Sequence, residues 1–167
     1  KYGCEDNSRL LKGLYNNSLS SFPSELRGDF DGVIYDKNLD SWTLYTNHIG
    51  SKWVFYYFDK EANCFVFGTE LKMVVAGMRA LGIEPELSEE GAYFLLTFGY
   101  MLGDYTLVKG IKKLSPGSTL TLKNWELQSE EYYRLRTTHY IEDSEDKIIK
   151  TLDELFRDAI KAEYYKD

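Results

Sequence analysis

The sequence predicts an α+β fold in which an antiparallel sheet meander is packed against helices. Short segments rich in aromatic and β-branched residues are separated by turns, a spacing typical of antiparallel hairpins. Other segments place apolar residues three and four positions apart, which is the period of an amphipathic helix. Aromatic residues make up 16% of the 167 residues. Since aromatic side chains favour strands and bury large areas, this share supports a core built around a sheet.

The first part of the chain carries one predicted helix and four predicted strands. Leucines at helical spacing predict a helix over residues 8–15, capped by Ser8, and residues 18–24 are predicted to form a loop around Pro23. The strands are predicted over residues 30–35, 42–46, 52–58 and 64–68. Tight turns rich in Asp and Asn separate the first pair and the last pair of strands. We therefore expect all four to follow one another in a single meander.

The hydrophobic period then changes from that of a strand to that of a helix. Helices are predicted from Thr69 to the break at Gly82, and from Ser88 to Gly99. The second helix is predicted to be buried because of its continuous apolar run, Tyr93, Phe94, Leu95 and Leu96. Residues 107–114 are predicted to be irregular. Residues 118–122 and 125–133 then predict a second hairpin.

The last predicted element is a single amphipathic helix over residues 143–166, after a linker at residues 136–139. Acidic residues at its start match the positive end of the helix dipole. Its apolar stripe is formed by Ile148, Leu152, Leu155, Phe156 and Ile160. Because such a stripe must pack on something, we expect it to contact the rest of the chain or a second copy, and a homodimer is possible.

Charge and cysteine content exclude several classes of partner. Lysine and arginine total 20 against 27 acidic residues, which gives a net charge of −7. A chain this acidic, with no basic run, lacks the electrostatic footprint of a nucleic-acid binder and is not attracted to an anionic membrane surface. No apolar stretch approaches the roughly 20 residues that span a membrane. Two cysteines and no secretory signal predict a reduced, cytoplasmic protein.

The sequence offers few candidates for chemistry, and no catalytic residue is assigned from it. The two histidines, His48 and His139, lack metal-ligand spacing and are interpreted as turn or surface residues. Four aspartates are interpreted as turn or strand-edge residues: Asp29, Asp31, Asp36 and Asp40. Cys64 lies in a predicted strand and is interpreted as an inert buried thiol. Cys4 has no histidine nearby in sequence to activate it.

Several segments, taken in order, carry a resemblance to a known family. The segment LRGDFDGVIYD and the strands after it resemble the second half of the glutaminase domain of glutamine-hydrolysing asparagine synthetases. AYFLLTFGYMLGDYTLVKGIKKLSPGSTL is similar to its continuation, and IIKTLDELFRDAI to the helix that opens their synthetase domain. The resemblance covers roughly residues 7 to 162. No single motif is decisive, but the order and spacing of the motifs together argue against a chance match.

The resemblance implies a fold and an activity. It implies part of a class II amidotransferase domain, an N-terminal-nucleophile (Ntn) hydrolase αββα sandwich, over residues 1–135. Residues 136–167 are then the linker and the first helix of a synthetase domain. The parent enzyme would hydrolyse glutamine at an N-terminal cysteine and use the ammonia to amidate aspartate. ATP and Mg²⁺ would bind in the synthetase domain beyond this chain, so no cofactor is expected here and the isolated chain is expected to be inactive.

The chain also departs from the family pattern at positions that bind or surround glutamine. Asn7 takes the place of an aspartate that contacts the glutamine α-amine, and Asp6 would substitute only if the register slips. The family's Arg-Asp pair is replaced by Thr46 and Asn47, a following proline by Trp53, and Ala-Ser-Glu by residues 68–70. Asn7 is therefore the single candidate glutamine-binding residue. The alternative function is a non-catalytic amidotransferase-like module that scaffolds or regulates.

Overall fold

The computed structural model describes residues 4–137 and 140–164, with side chains from residue 9 onward except at residue 163. The helices are α1 (Cys4–Ser18), α2 (Leu71–Ala80), α3 (Glu89–Phe98) and α4 (Glu145–Tyr164), and a 3₁₀ helix covers Leu19–Glu25. The strands are β1 (Asp31–Asp36), β2 (Ser41–Thr46), β3 (Phe55–Asp59), β4 (Cys64–Gly68), β5 (Ile111–Lys113), β6 (Ser118–Lys123) and β7 (Glu126–Glu131). The α+β class with antiparallel sheets is confirmed.

The strands form two sheets, and the prediction of one continuous meander is wrong. The first sheet has the order β1-β2-β6-β7 and the second has the order β4-β3-β5, with antiparallel neighbours throughout. Each predicted hairpin exists, but residues 47–54 carry the chain from one sheet to the other. Periodicity finds strands and their turns, whereas the partner on a strand's other edge is chosen by packing between distant segments.

The two sheets of residues 11–134 pack face to face over an apolar core. Leu44 of β2 and Leu120 of β6 are almost fully buried there, together with Val54 and Leu114 beside the second sheet. Three half-buried aromatic side chains of β3 and β4 cover this cluster: Tyr56, Phe65 and Phe67. This packing makes β2 a central strand that is covered on both of its faces.

Helical segments cover the outer faces of both sheets. On the first sheet, Tyr15 of α1 and Phe22 of the 3₁₀ helix pack against Tyr45. On the second sheet, Val74 and Met78 of α2 pack against β3 and β5. The helix predicted between Thr69 and Gly82 thus packs one side on the second sheet, and residues 11–134 are layered as helix, sheet, sheet and helix.

Turn chemistry accounts for the predicted β1–β2 and β6–β7 hairpins. In the β1–β2 turn, the Asp36 carboxylate accepts hydrogen bonds from the backbone N–H groups of Asn38 and Leu39, at 2.8 and 3.2 Å. In the β6–β7 turn, Asn124 and Trp125 both adopt positive φ, at 51° and 56°. Two consecutive left-handed residues match the right-handed twist of the strands that they join.

Three predictions about individual segments are corrected by the structure. α1 begins at Cys4, so Ser8 lies inside the helix rather than at its cap. The predicted loop around Pro23 is a 3₁₀ helix, in which Phe22 and Pro23 are buried. The segment predicted to be irregular contains β5, three residues long, which pairs with β3. A strand this short is too brief to show an alternating pattern.

α3 forms where it is predicted but is not buried as predicted. Ser88 caps it by accepting a hydrogen bond from the Gly91 N–H at 3.1 Å, and Gly99 ends it at φ 75°. Tyr93 and Leu96, however, are 64% and 86% exposed. A continuous apolar run wraps around a helix, and here only the side that carries Gly91 meets the rest of residues 11–134.

The contact at Gly91 gives a prediction for a matched pair of helical glycines. A Cβ on Gly91 would collide with the backbone carbonyl of Thr106, whereas a Cβ on Gly13 in α1 would meet nothing within 4 Å. Gly91→Ala should therefore lower the free energy of unfolding by about 1–3 kcal/mol. Gly13→Ala should raise it by up to about 1 kcal/mol, because alanine is the better helix former. Urea unfolding of both variants measures the difference, and equal signs would contradict it.

α4 lies in a second compact unit, separate from residues 11–134. Along this helix, Leu152, Leu155 and Phe156 of the predicted stripe are all at least 60% exposed. No helix within the described part of the chain is both long and apolar enough to cross a membrane.

Candidate functional site

The positions that depart from the family's Arg-Asp pair form a buried polar corner where β2 ends. Asn47 is 2% exposed. Its amide nitrogen donates to the Gly28 carbonyl at 3.2 Å and to the Ser51 hydroxyl at 2.6 Å, and its amide oxygen accepts from the Ser51 N–H at 2.9 Å. The Ser51 hydroxyl in turn donates to Asp29 at 2.7 Å. Asn47 therefore ties together two loop segments, residues 28–29 and Ser51.

Thr46 joins the same corner to the segment that follows β7. It is fully buried, and its hydroxyl donates to the Ser115 carbonyl at 2.8 Å. The Thr46 carbonyl accepts a hydrogen bond from the Tyr132 hydroxyl. Burial raises the pKa of Tyr132 to about 12. Because a phenol can donate only while protonated, this raised pKa keeps the contact intact into the alkaline range.

The raised pKa of Tyr132 predicts a loss of stability in alkali. Its ordinary value is 10.0, so its contribution to stability is complete below pH 10 and is lost as the pH rises from about 10 towards about 12. Tyr132→Phe should be less stable than the parent chain at pH 8 by about 1 kcal/mol. It should lose less stability than the parent chain between pH 8 and pH 11. Urea midpoints at both pH values give the comparison, and parallel losses would contradict the assignment.

The two cysteines differ in what the structure shows of them. Cys64 is buried as predicted, and burial, aided by the nearby Asp59 carboxylate, raises the pKa of its thiol. A thiol with a raised pKa is a poor nucleophile at neutral pH. Cys4 begins α1, but its side chain lies outside the described ones. No described side chain therefore has the properties of an activated cysteine.

His48 and the aspartates of the β1–β2 turn make contacts within the fold. His48 is half-buried and packs edge-on against the rings of Phe30 and Tyr133. His139 lies outside the described residues. Within the described residues, no group of His, Cys, Asp and Glu could hold a metal ion. Asp36 and Asp40 flank the β1–β2 turn, where the Tyr35 hydroxyl donates to Asp40 at 2.8 Å, so the turn interpretation is confirmed for both.

The candidate glutamine-binding residue, Asn7, lies in the first turn of α1, as does Asp6. The side chains of both are outside the described ones. The structure therefore places Asn7 on an element but gives no contact for it, and its role stays a prediction.

A surface cleft that the sequence analysis missed lies on the α2 side of the second sheet. We call it the aromatic cleft. Its volume is about 530 Å³, and its lining includes Trp53, Phe55, Tyr100, Tyr105, Leu107 and Lys113. These residues come from three separate segments, so no local pattern could have grouped them. The one visible signal was Trp53, which stands where the family has proline.

The layered fold and the chain's sequence define the class of protein. Residues 6–133 match the family of glutamine amidotransferase domains, and the chain belongs to that family. Within it, the chain is similar to the protein named asparagine synthetase [glutamine-hydrolyzing] 3 of Bacillus subtilis (strain 168), with 26% identity over 143 residues. The resemblance to an asparagine-synthetase-like amidotransferase region is thereby confirmed.

The extent of the match is unequal in the two proteins. The aligned segment covers 85% of this chain but 22% of the Bacillus protein. The chain thus spans about a fifth of the length of the relative that it matches.

Proposed function

We propose that this chain is the glutamine amidotransferase portion of an asparagine synthetase-like enzyme, which hydrolyses glutamine and passes the ammonia to an ATP-dependent amidation of aspartate. The observation that carries the proposal is the family match over residues 6–133, together with the relative named for glutamine hydrolysis. The helix, sheet, sheet and helix layers of residues 11–134 support an Ntn-hydrolase sandwich. We place the enzyme in the cytoplasm.

On this proposal, glutamine hydrolysis and the ATP-dependent amidation take place in different domains of the enzyme. Residues 1–135 belong to the amidotransferase domain, whereas residues 136–167 are the linker and first helix of the synthetase domain. ATP and Mg²⁺ belong to that second domain. The exposed apolar stripe of α4 supports this division, because a helix that opens a domain has its packing partners further along the chain. Pairing between two copies is the alternative for this stripe, and concentration-dependent light scattering of Phe156→Glu against the parent chain separates the two.

The chain by itself should not hydrolyse glutamine. Cys64 is buried with a raised thiol pKa, and Cys4 has no activating histidine near it in sequence. Purified chain, incubated with glutamine, should release no more glutamate than a buffer control. The complete product of the gene that encodes it should release glutamate, and Cys64→Ser in that product should keep the activity. Release by the isolated chain that Cys4→Ser abolishes would show that Cys4 is the nucleophile.

A non-catalytic scaffolding or regulatory module is the second candidate, and the polar corner is the observation that favours it. Thr46 and Asn47 replace the family's Arg-Asp pair, and both are committed to hydrogen bonds within the fold. Asn7 would also bind an ammonium more weakly than the aspartate that the family has there, because an amide carries no counter-charge. If the complete gene product is active, Asn7→Asp should lower its KM for glutamine. A complete gene product with no glutaminase activity would favour the module.

A further inference from the structure

The aromatic cleft combines a large apolar lining with one cation at its edge. Phe55 and Thr106 are buried at 8% and 5% exposure, whereas Trp53 and Tyr100 are 58% and 60% exposed. The cleft therefore has a closed base and an open, aromatic mouth. Its volume of about 530 Å³ lies within the range of small-molecule sites, roughly 300–1,000 Å³.

Lys113 supplies the cation because it is the cross-strand neighbour of Phe55 on the second sheet. Its ammonium lies 5.4 Å from the centroid of the Trp53 ring. A lysine held over an aromatic face is attracted by the ring but keeps its hydrogen-bond donors available.

The nearby lysines differ from Lys113 in having carboxylate partners. Lys112 pairs with Asp104 at 2.9 Å, and Lys109 pairs with Glu86 at 2.8 Å. Lys113 forms no ion pair with any carboxylate of the described residues. Glu70, the acidic residue of the lining, is already paired with Lys72 at 2.6 Å. The cleft thus presents one uncompensated positive charge.

We propose that the aromatic cleft binds a small apolar carboxylate. The apolar body of such a ligand would lie against the rings of Trp53, Phe55 and Tyr105, and its carboxylate would pair with Lys113. Charge complementarity selects this class, since a neutral apolar ligand leaves Lys113 unpaired and a polyanion has a single cation to meet. The proposal is independent of glutamine hydrolysis, since it uses a residue, Trp53, at which this chain departs from the family.

The experiment uses 4-phenylbutyrate as the probe and 4-phenylbutyramide as its neutral control. The indole N–H signals in a ¹H–¹⁵N spectrum of the 167-residue chain report on each of its three tryptophans, Trp42, Trp53 and Trp125. The acid should shift the Trp53 signal, assigned with Trp53→Phe, in a saturable way. The amide should bind about fivefold more weakly, which is the order expected for one partly exposed ion pair.

Two lysine variants form the matched pair. Lys113→Gln should weaken binding of the acid to the level of the amide and leave the amide unchanged. Lys112→Gln, next to it on β5, should bind the acid like the parent chain. Dispersed indole signals confirm that each variant is folded.

Four outcomes would overturn the proposal. These are no saturable shift of Trp53, equal affinity for acid and amide, equal loss in both lysine variants, and shifts centred on Trp42 or Trp125. Concentration-dependent self-association that Lys113→Gln abolishes, without binding of the acid, would identify a second copy of the chain as the occupant instead.

Discussion

Phe22→Ala should lower the free energy of unfolding by about 3–5 kcal/mol, the range for deleting a buried aromatic side chain. Phe22 is 0% exposed. Its ring meets the ring of Tyr45 edge-on at 4.9 Å and that of Tyr15 at 5.8 Å. Removing it would leave a cavity between the 3₁₀ helix and the first sheet and would break both aromatic contacts.

The measurement is urea unfolding of the 167-residue chain, followed by tryptophan fluorescence. Phe22→Leu is the matched variant: it keeps most of the apolar volume and loses the ring, so its cost should fall well below that of Phe22→Ala. A cost under about 1 kcal/mol for Phe22→Ala would mean that the 3₁₀ helix does not seal the outer face of the first sheet.

Asn47→Ala should lower the free energy of unfolding by about 2–4 kcal/mol. The substitution removes both hydrogen bonds to Ser51 and the one to the Gly28 carbonyl. A buried group left without its partner costs about 1–3 kcal/mol, and here more than one group loses its partner. The effect should therefore rank with the loss of a large core side chain.

Two further variants test whether the polar corner is the reason. Asn38→Ala, at the exposed β1–β2 turn, should change the unfolding free energy by no more than about 0.5 kcal/mol. Asn47→Asp restores the family's residue but loses the amide donor and faces the Asp29 carboxylate, to which the present amide points at 3.4 Å. It should be less stable than the parent chain at pH 7. A variant as stable as the parent would show that the family's aspartate fits this corner unchanged.

Local patterns predicted the elements that leave a clear signal in turn residues or hydrophobic spacing. The three hairpins, the helix α2 and the Ser88 cap of α3 are where turn residues and hydrophobic spacing put them. The class of protein followed from the order of several weak motifs. The family match over residues 6–133 confirms it. Sequence order was informative there because it sums many small constraints over a long segment.

Contacts between distant segments could not be predicted in this way. The split into two sheets depends on β2 pairing with β6, more than 70 residues further along the chain, and on β3 pairing with β5. In the sequence, Asn47 was visible only as a departure from the family's Arg-Asp pair, yet it is buried because Gly28 and Ser51 converge on it. The aromatic cleft likewise has walls from four separate segments, at residues 53–55, 69–71, 100–107 and 113.

The sequence by itself determined the class of protein, the hairpins and the helices, since propensity, turn chemistry and periodicity act over a few residues and leave a readable trace. The tertiary structure alone decided which strands share a sheet, which face of α3 is covered and which lysine of β5 stays without a carboxylate. The physical reason is that burial and ion pairing depend on where other segments arrive, and hydrophobic packing sets that position without regard to distance along the chain.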